Sequence, residues 1–198
     1  MKTPASARFE TAKERHAKLF ERAVREGKAD SGMIPLCKWL NAQKEYFTTS
    51  SCSGRIALMD LHEDESKKEN AFHAKWHRAV KWNGLWKEVQ RPSRENLWFK
   101  QEPFVLVIGT NTMENARKIM VAVRNAGVKR VGIMAFNEWK WLVELFGSTG
   151  MAFMAKEKNE MLCDEKFLKI QLRTANQKMK RNALQLVALE KALRKGLE

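Results

Sequence analysis

From Asp164 to the end of the chain, apolar residues recur at spacings of three and four: Leu168, Leu172, Ala175, Met179, Ala183, Leu186, Leu189 and Leu193. Such a repeat is one stripe of an α-helix, so the sequence predicts a single long helix over about residues 164–196. The remaining faces carry Lys166, Lys169, Arg173, Lys178, Lys180, Arg181, Lys191, Arg194 and Lys195 against Glu165, Glu190 and Glu198. A helix with one apolar stripe needs a layer to pack on, and the rest of the chain must supply it.

That layer reads as strands interleaved with shorter helices. Amphipathic spacing of Phe9, Ala12, His16, Leu19, Phe20 and Ala23 predicts a helix over about Ser6 to Glu26, and "MIPLCKWLNAQKE" a second, with Pro35 in its first turn. "YFTT" and "RIALMDL" read as strands joined by a "SSCSG" turn, "HEDESKKEN" as a charged loop, "ENAFHAKWHRAVKW" as helical and "GLWKEVQRPSREN" as irregular. A β–α–β unit follows: a strand in "LWFKQEPFVLVIGT", a helix in "NTMENARKIMVAVRNAG" and a strand in "VKRVGIMAF". "WKWLVELFG" and "GMAFMAKE" read as a hairpin around "GSTG". Several of these connections are too short for a crossover, so their strands are antiparallel. The expectation is a single α+β (mixed α/β) domain over residues 1–198, with a mostly antiparallel mixed sheet packed with helices.

Charge narrows the partner. A formal net charge of +14 on 198 residues favours a polyanion such as nucleic acid. No apolar run approaches a bilayer span, and "MKTPASARFETAKERH" has no apolar signal core. Cys37, Cys52 and Cys163 are odd in number and far apart with no CxxC, as expected of a reduced, cytoplasmic setting.

The densest chemistry lies in "YFTTSSCSGRI", Tyr46 to Ile56. Ser50, Ser51 and Ser53 offer hydroxyls, Cys52 a thiol, Gly54 backbone freedom and Arg55 a planar fork for a carboxylate or phosphate. A cradle for an anion and hydroxyls is one reading and a hydrophilic hairpin turn the other. A nucleophilic role for Cys52 lacks a base that the sequence can name. His73 and His77, four apart on the expected helix, lack an HExxH context and read as helix-surface histidines, with no metal expected. "VLVIGTNTMENA" lacks both GxGxxG and GxxxxGK[ST], which excludes a Rossmann or P-loop site. A non-catalytic RNA-binding module and a metal-dependent RNA-processing enzyme remain open on the residues alone, and tryptophans between Trp76 and Trp98 are the ones placed to stack bases.

"YFTTSSCSGRI" resembles the signature of the tRNA wybutosine-synthesizing protein 3 family of archaea and eukaryotes. "LWFKQEP" resembles the family's Lys-x-Glu-Pro segment, and "RTANQKM", with Asn176, its terminal helix. The resemblance spans about Leu40 to Met179. It implies a fold unlike Rossmann methyltransferases and an S-adenosylmethionine-dependent methyl transfer to N4 of the tricyclic base 3′ of the anticodon in phenylalanine tRNA. For such a donor the residues offer contacts from Ser50, Ser51, Cys52, Ser53, Gly54, Arg55 and Lys100, and a carboxylate near the acceptor nitrogen from Glu102 or Asp60. Phosphate contacts are expected from Lys178, Lys180, Arg181, Arg194 and Lys195. The chain departs from the family at Val107, where a histidine is usual, and at Val131, where Ser-Gly-Ile becomes Val131, Gly132, Ile133. These departures fit a diverged paralogue acting on another RNA.

Overall fold

The computed structural model describes residues 3–62 and 71–197. Its order is α1 (Pro4–Arg25), α2 (Ile34–Ala42), β1 (Tyr46–Cys52), β2 (Arg55–Leu61), β3 (Ala71–Trp76), α3 (Trp82–Gln90), β4 (Asn96–Glu102), β5 (Val105–Thr110), α4 (Met113–Asn125), β6 (Arg130–Asn137), β7 (Lys140–Phe146), β8 (Met151–Glu157), β9 (Glu160–Met161) and α5 (Glu165–Leu197). The α+β class and the long terminal helix stand as expected. The strands, however, form two antiparallel sheets among the described residues, ordered β1-β5-β7-β6 and β3-β2-β4-β8-β9. Each sheet belongs to its own compact unit, and both units are discontinuous in sequence.

The first unit holds residues 1–53, 104–148 and 184–198. Strand alternation gives its sheet two faces. Leu106, Ile108, Val143 and Leu145 point to one of them, where Leu36 and Leu40 of α2, Ile119 and Val123 of α4, and Leu189 and Leu193 of α5 complete the core. On the other face, Phe47 lies opposite Gly109 and packs against Phe9 of α1, ring centroids 5.5 Å apart. The expected β–α–β unit is real: β5 and β6 are joined through α4, with β7 paired antiparallel between them. Its first strand is shorter than expected. The chain breaks at Pro103, which has no N–H to continue a ladder, so "LWFKQEPFVLVIGT" yields β4 in one sheet and β5 in the other.

The second unit holds residues 54–103 and 149–183. Ile56, Leu58, Leu97 and Phe99 project from one face of its sheet onto Leu85 and Val89 of α3 and Leu168, Leu172 and Ala175 of α5.

Four local expectations are corrected. Strands β1 and β2 are not a hairpin: β1 pairs with β5 and β2 with β3 and β4, so Ser50, Ser51 and Cys52 are strand residues rather than a turn. Likewise β7 and β8 do not pair with each other; β7 pairs with β5 and β6, and β8 with β4 and β9. The stretch expected as helical forms strand β3, because a free edge of β2 offered backbone partners that outweigh its helix-like spacing. Its first residues, Glu69 and Asn70, and the charged loop after His62 lie outside the described residues. Finally, the stretch expected as irregular contains α3, whose Leu85 and Val89, four apart, are both fully buried. Burial of that pair outweighs the weak helix propensity of Asn83 and Gly84.

Candidate functional site

Pairing register decides which of the expected residues meet. Arg55, Ala57 and Met59 of β2 sit opposite Glu102, Lys100 and Trp98 of β4, and Ala57 and Met59 sit opposite Lys75 and Phe72 of β3. These residues share the face of the second sheet that points away from α3 and α5. Arg55, Lys100 and Glu102 are therefore brought together. Arg55 Nε donates to Glu102 Oε2 at 2.5 Å, with the two side chains 27% and 34% exposed. The Arg55 guanidinium also lies 4.6 Å from the centroid of the Phe72 ring, and the Lys75 ammonium 5.0 Å from the same ring. Lys100 Nζ lies 5.8 Å from the Trp98 ring. Such a face offers a fork for a carboxylate, a carboxylate of its own and aromatic surfaces that attract cations.

Asp60 does not join this face. It alternates with Met59 and points to the packed side, where it is 7% exposed. Its Oδ2 lies 3.3 Å from His73 Nδ1, and His73 Nε2 lies 2.9 Å from the Glu88 carbonyl oxygen. His73 is thus a nearly buried linchpin between a strand and α3, which corrects its reading as a helix-surface residue. His77 follows β3, with Nδ1 3.2 Å from the Gly54 carbonyl oxygen.

Gly54 has φ +94°. A Cβ there would meet Asn182 Nδ2 at 2.6 Å and the Glu102 carbonyl oxygen at 3.0 Å. Only glycine tolerates both the torsion and the approach.

The serines belong to the first unit and divide by strand alternation. Ser50 is exposed, in a row across the sheet with Val107, Glu144 and Gly132. Ser51 faces the helices with Thr48, and both bond the Cys37 thiol, whose pKa burial pushes up while those bonds pull it down. Ser53 is held by Asp30: its N–H donates to Oδ2 at 2.5 Å and its hydroxyl to Oδ1 at 3.0 Å. The family histidine position, Val107, lies on the row with Ser50, and the serine position, Val131, packs against the first core. Glu144 on that row is a carboxylate the sequence reading missed. Alternation in "KWLVELF" places it opposite in sense to Val143 and Leu145, which was the available signal. Phe72 and Lys75 were missed because their stretch was read as helix.

The basic residues of α5 divide between the units. Lys178, Lys180 and Arg181 are in the second, with Lys180 and Arg181 exposed. Arg194 and Lys195 are in the first. Arg194 bonds Glu190 at 2.6 Å and stacks 4.8 Å from the Trp39 ring centroid, so it is partly committed to packing. Lys195 lines a hollow with Arg117, Lys118 and Lys191. No helix among the described residues is long and apolar enough to cross a membrane.

The family model described as methyltransferase TYW3 matches residues 7–195. A relative from Pyrococcus horikoshii, named tRNA(Phe) 7-((3-amino-3-carboxypropyl)-4-demethylwyosine(37)-N(4))-methyltransferase 1, is 32% identical over 182 residues, covering 92% of this chain and 93% of the relative. The tRNA wybutosine-synthesizing protein 3 homolog of Mus musculus is 27% identical over 162 residues, covering 80% of this chain and 62% of that protein. The solved structure of PH1069 protein from Pyrococcus horikoshii aligns with a TM-score of 0.85 at 32% identity, covering 94% of this chain and 96% of that one.

Proposed function

The chain belongs to the methyltransferase TYW3 family, and from that premise we propose that it methylates N4 of the tricyclic wyosine-type base 3′ of the anticodon in phenylalanine tRNA, with S-adenosylmethionine as donor. The observation that carries this reading is the convergence of Arg55, Lys100 and Glu102 on one face of the second sheet beside Phe72 and Trp98.

The residues suit the donor by chemistry. Its carboxylate matches the Arg55 fork, which meets Glu102 through Nε, and Lys100 adds a second cation. Its sulfonium is a cation, which aromatic faces such as Phe72 and Trp98 attract. Ser53, fixed by Asp30, sets the path of the chain into Gly54. When bound, S-adenosylmethionine supplies an electrophilic methyl carbon: the acceptor N–C bond forms as the C–S bond breaks and its electron pair stays on sulfur. The chain's part is mainly positioning. Glu102 is the general base of this reading, with Oε2 on Arg55 and Oε1 left to receive the proton of the acceptor nitrogen. Asp60 holds His73 instead. Cationic positions on α5, Lys178, Lys180, Arg181 and Lys195, meet tRNA phosphates.

Calorimetric titration with S-adenosylmethionine tests the donor site. Arg55→Ala removes a charge-assisted contact of about 1.5–3 kcal/mol, so donor affinity falls on the order of tenfold to 150-fold. The ion pair with Glu102 is about one-third exposed, so unfolding stability changes by less than about 1 kcal/mol. Unchanged donor affinity, or a collapse in stability, makes Arg55 structural.

A further inference from the structure

On the opposite side of the second unit from the Arg55 face, α3 and the first half of α5 border a groove of about 360 Å³. Its lining includes the apolar side chains Val80 and Leu172, the Trp82 indole, and the cations Lys169, Arg173 and Lys180. We propose that this groove binds one nucleotide of the tRNA substrate, with a base stacked on Trp82 and its phosphate held by Arg173 and Lys180.

Three observations support an RNA strand as occupant. The first is charge: the described residues that line the groove include three cations and no acid, and the lysine and arginine spacing along α5 puts Lys169, Arg173 and Lys180 on one helix face. The second is the indole. Trp82 is half-buried and backed by Trp86, ring centroids 5.1 Å apart and 21° from parallel, so it is a braced surface rather than a swinging side chain. At present the Lys169 ammonium lies 5.0 Å from its centroid, and Lys169 is also 2.5 Å from Glu165. Both side chains of that pair are about half exposed, and a screened contact of this kind yields readily to a stacking base, leaving Lys169 to reach a phosphate. The third is rigidity. Asn176, in the middle of the groove, clamps Val80 from both sides: its Oδ1 accepts from the Val80 N–H at 2.9 Å and its Nδ2 donates to the Val80 carbonyl at 2.9 Å. The loop that presents Trp82 is thereby fixed to the helix that presents the cations. The asparagine acts as a positioning residue, while Gln177, exposed beside it, can bond a base edge.

The assignment rests on the tRNA substrate proposed above, and the test separates the two. Binding of full-length phenylalanine tRNA is measured by anisotropy across a salt series, and donor binding by calorimetry. Trp82→Ala should weaken tRNA about five- to 150-fold, the range expected for losing one stacked base. Trp82→Phe, which keeps a ring, should weaken it by less than about threefold. Arg173→Gln with Lys180→Gln should flatten the slope of log affinity against log salt by about 0.7, the increment for the one single-strand phosphate they share. Donor affinity should be unchanged in all three. The groove is overturned if folded Trp82→Ala binds tRNA as tightly as the parent, if Trp82→Phe loses as much as Trp82→Ala, or if the double variant keeps the parent slope. Should Trp82→Ala fail to fold, the salt slope decides alone. An intact protein that binds no tRNA at all sinks the substrate reading and the groove together, whereas tRNA binding indifferent to these variants sinks only the groove.

Discussion

Gly109→Ala lowers the free energy of unfolding by about 3 kcal/mol, at the upper end of what overpacking costs. Gly109 lies in the middle of β5, directly across from Phe47 of β1. A Cβ there would stand 2.2 Å from Phe47 Cζ and 2.5 and 2.6 Å from the two Cε atoms. The ring cannot retreat. It is fully buried, with the His16 ring stacked on it at 5.1 Å and Phe9 at 5.5 Å. Glycine in a strand interior is otherwise a weakness, tolerated where another group comes close. Urea unfolding of four proteins checks the cause. Phe47→Ala alone costs about 3–5 kcal/mol through its cavity. In that background, Gly109→Ala should cost less than about 1 kcal/mol, a coupling of about 2 kcal/mol. The same cost in both backgrounds would show that the ring is not the obstacle.

Gly54→Ala costs about 2–4 kcal/mol, for two separate reasons. A φ of +94° is strained for any L side chain, on the order of 1–3 kcal/mol. The new methyl also meets Asn182 Nδ2 at 2.6 Å and the Glu102 carbonyl oxygen at 3.0 Å, and Asn182 is 1% exposed, so it moves only by disturbing its surroundings. Because Gly54 precedes Arg55 and the added methyl meets the Glu102 backbone, the same change reduces S-adenosylmethionine affinity, an effect that Gly109→Ala does not share when folded. A Gly54→Ala protein with the parent's urea midpoint contradicts this account of the glycine.

The long helix and its stripe were legible because amphipathic period is a local property, and α5 runs within a residue or two of the expected bounds. The "SSCSGRI" cluster was legible as chemistry for a similar reason, since residue types alone identify donors and forks. What the sequence hid is pairing. The expectation of a β1–β2 hairpin rested on proximity along the chain, but β1 finds β5 and β2 finds β4, both distant in sequence. That exchange sends Ser50 and Ser51 to opposite faces of one sheet and places Arg55 on another. The convergence of Arg55, Lys100 and Glu102 depends wholly on the β2–β4 register, and a slip of one residue would turn Lys100 and Glu102 to the packed side. Asp60 shows the same dependence in reverse: chemically it resembles Glu102, yet alternation turns it inward to His73. Strand β3 escaped because His73 and His77 imitate helix spacing, and with it went Phe72 and Lys75.

The most direct measurement is mass spectrometry of the digested product after incubating the protein with S-adenosylmethionine and phenylalanine tRNA carrying the tricyclic intermediate. The acceptor nitrogen and the stacking surface both belong to that ring. The account therefore predicts one added methyl group on the modified base, a rate reduced in Glu102→Gln, and little reaction with unmodified tRNA. No methyl increment, from protein that demonstrably binds both donor and tRNA, would contradict it and mean that the replacements at Val107 and Val131 have moved this chain to a different RNA.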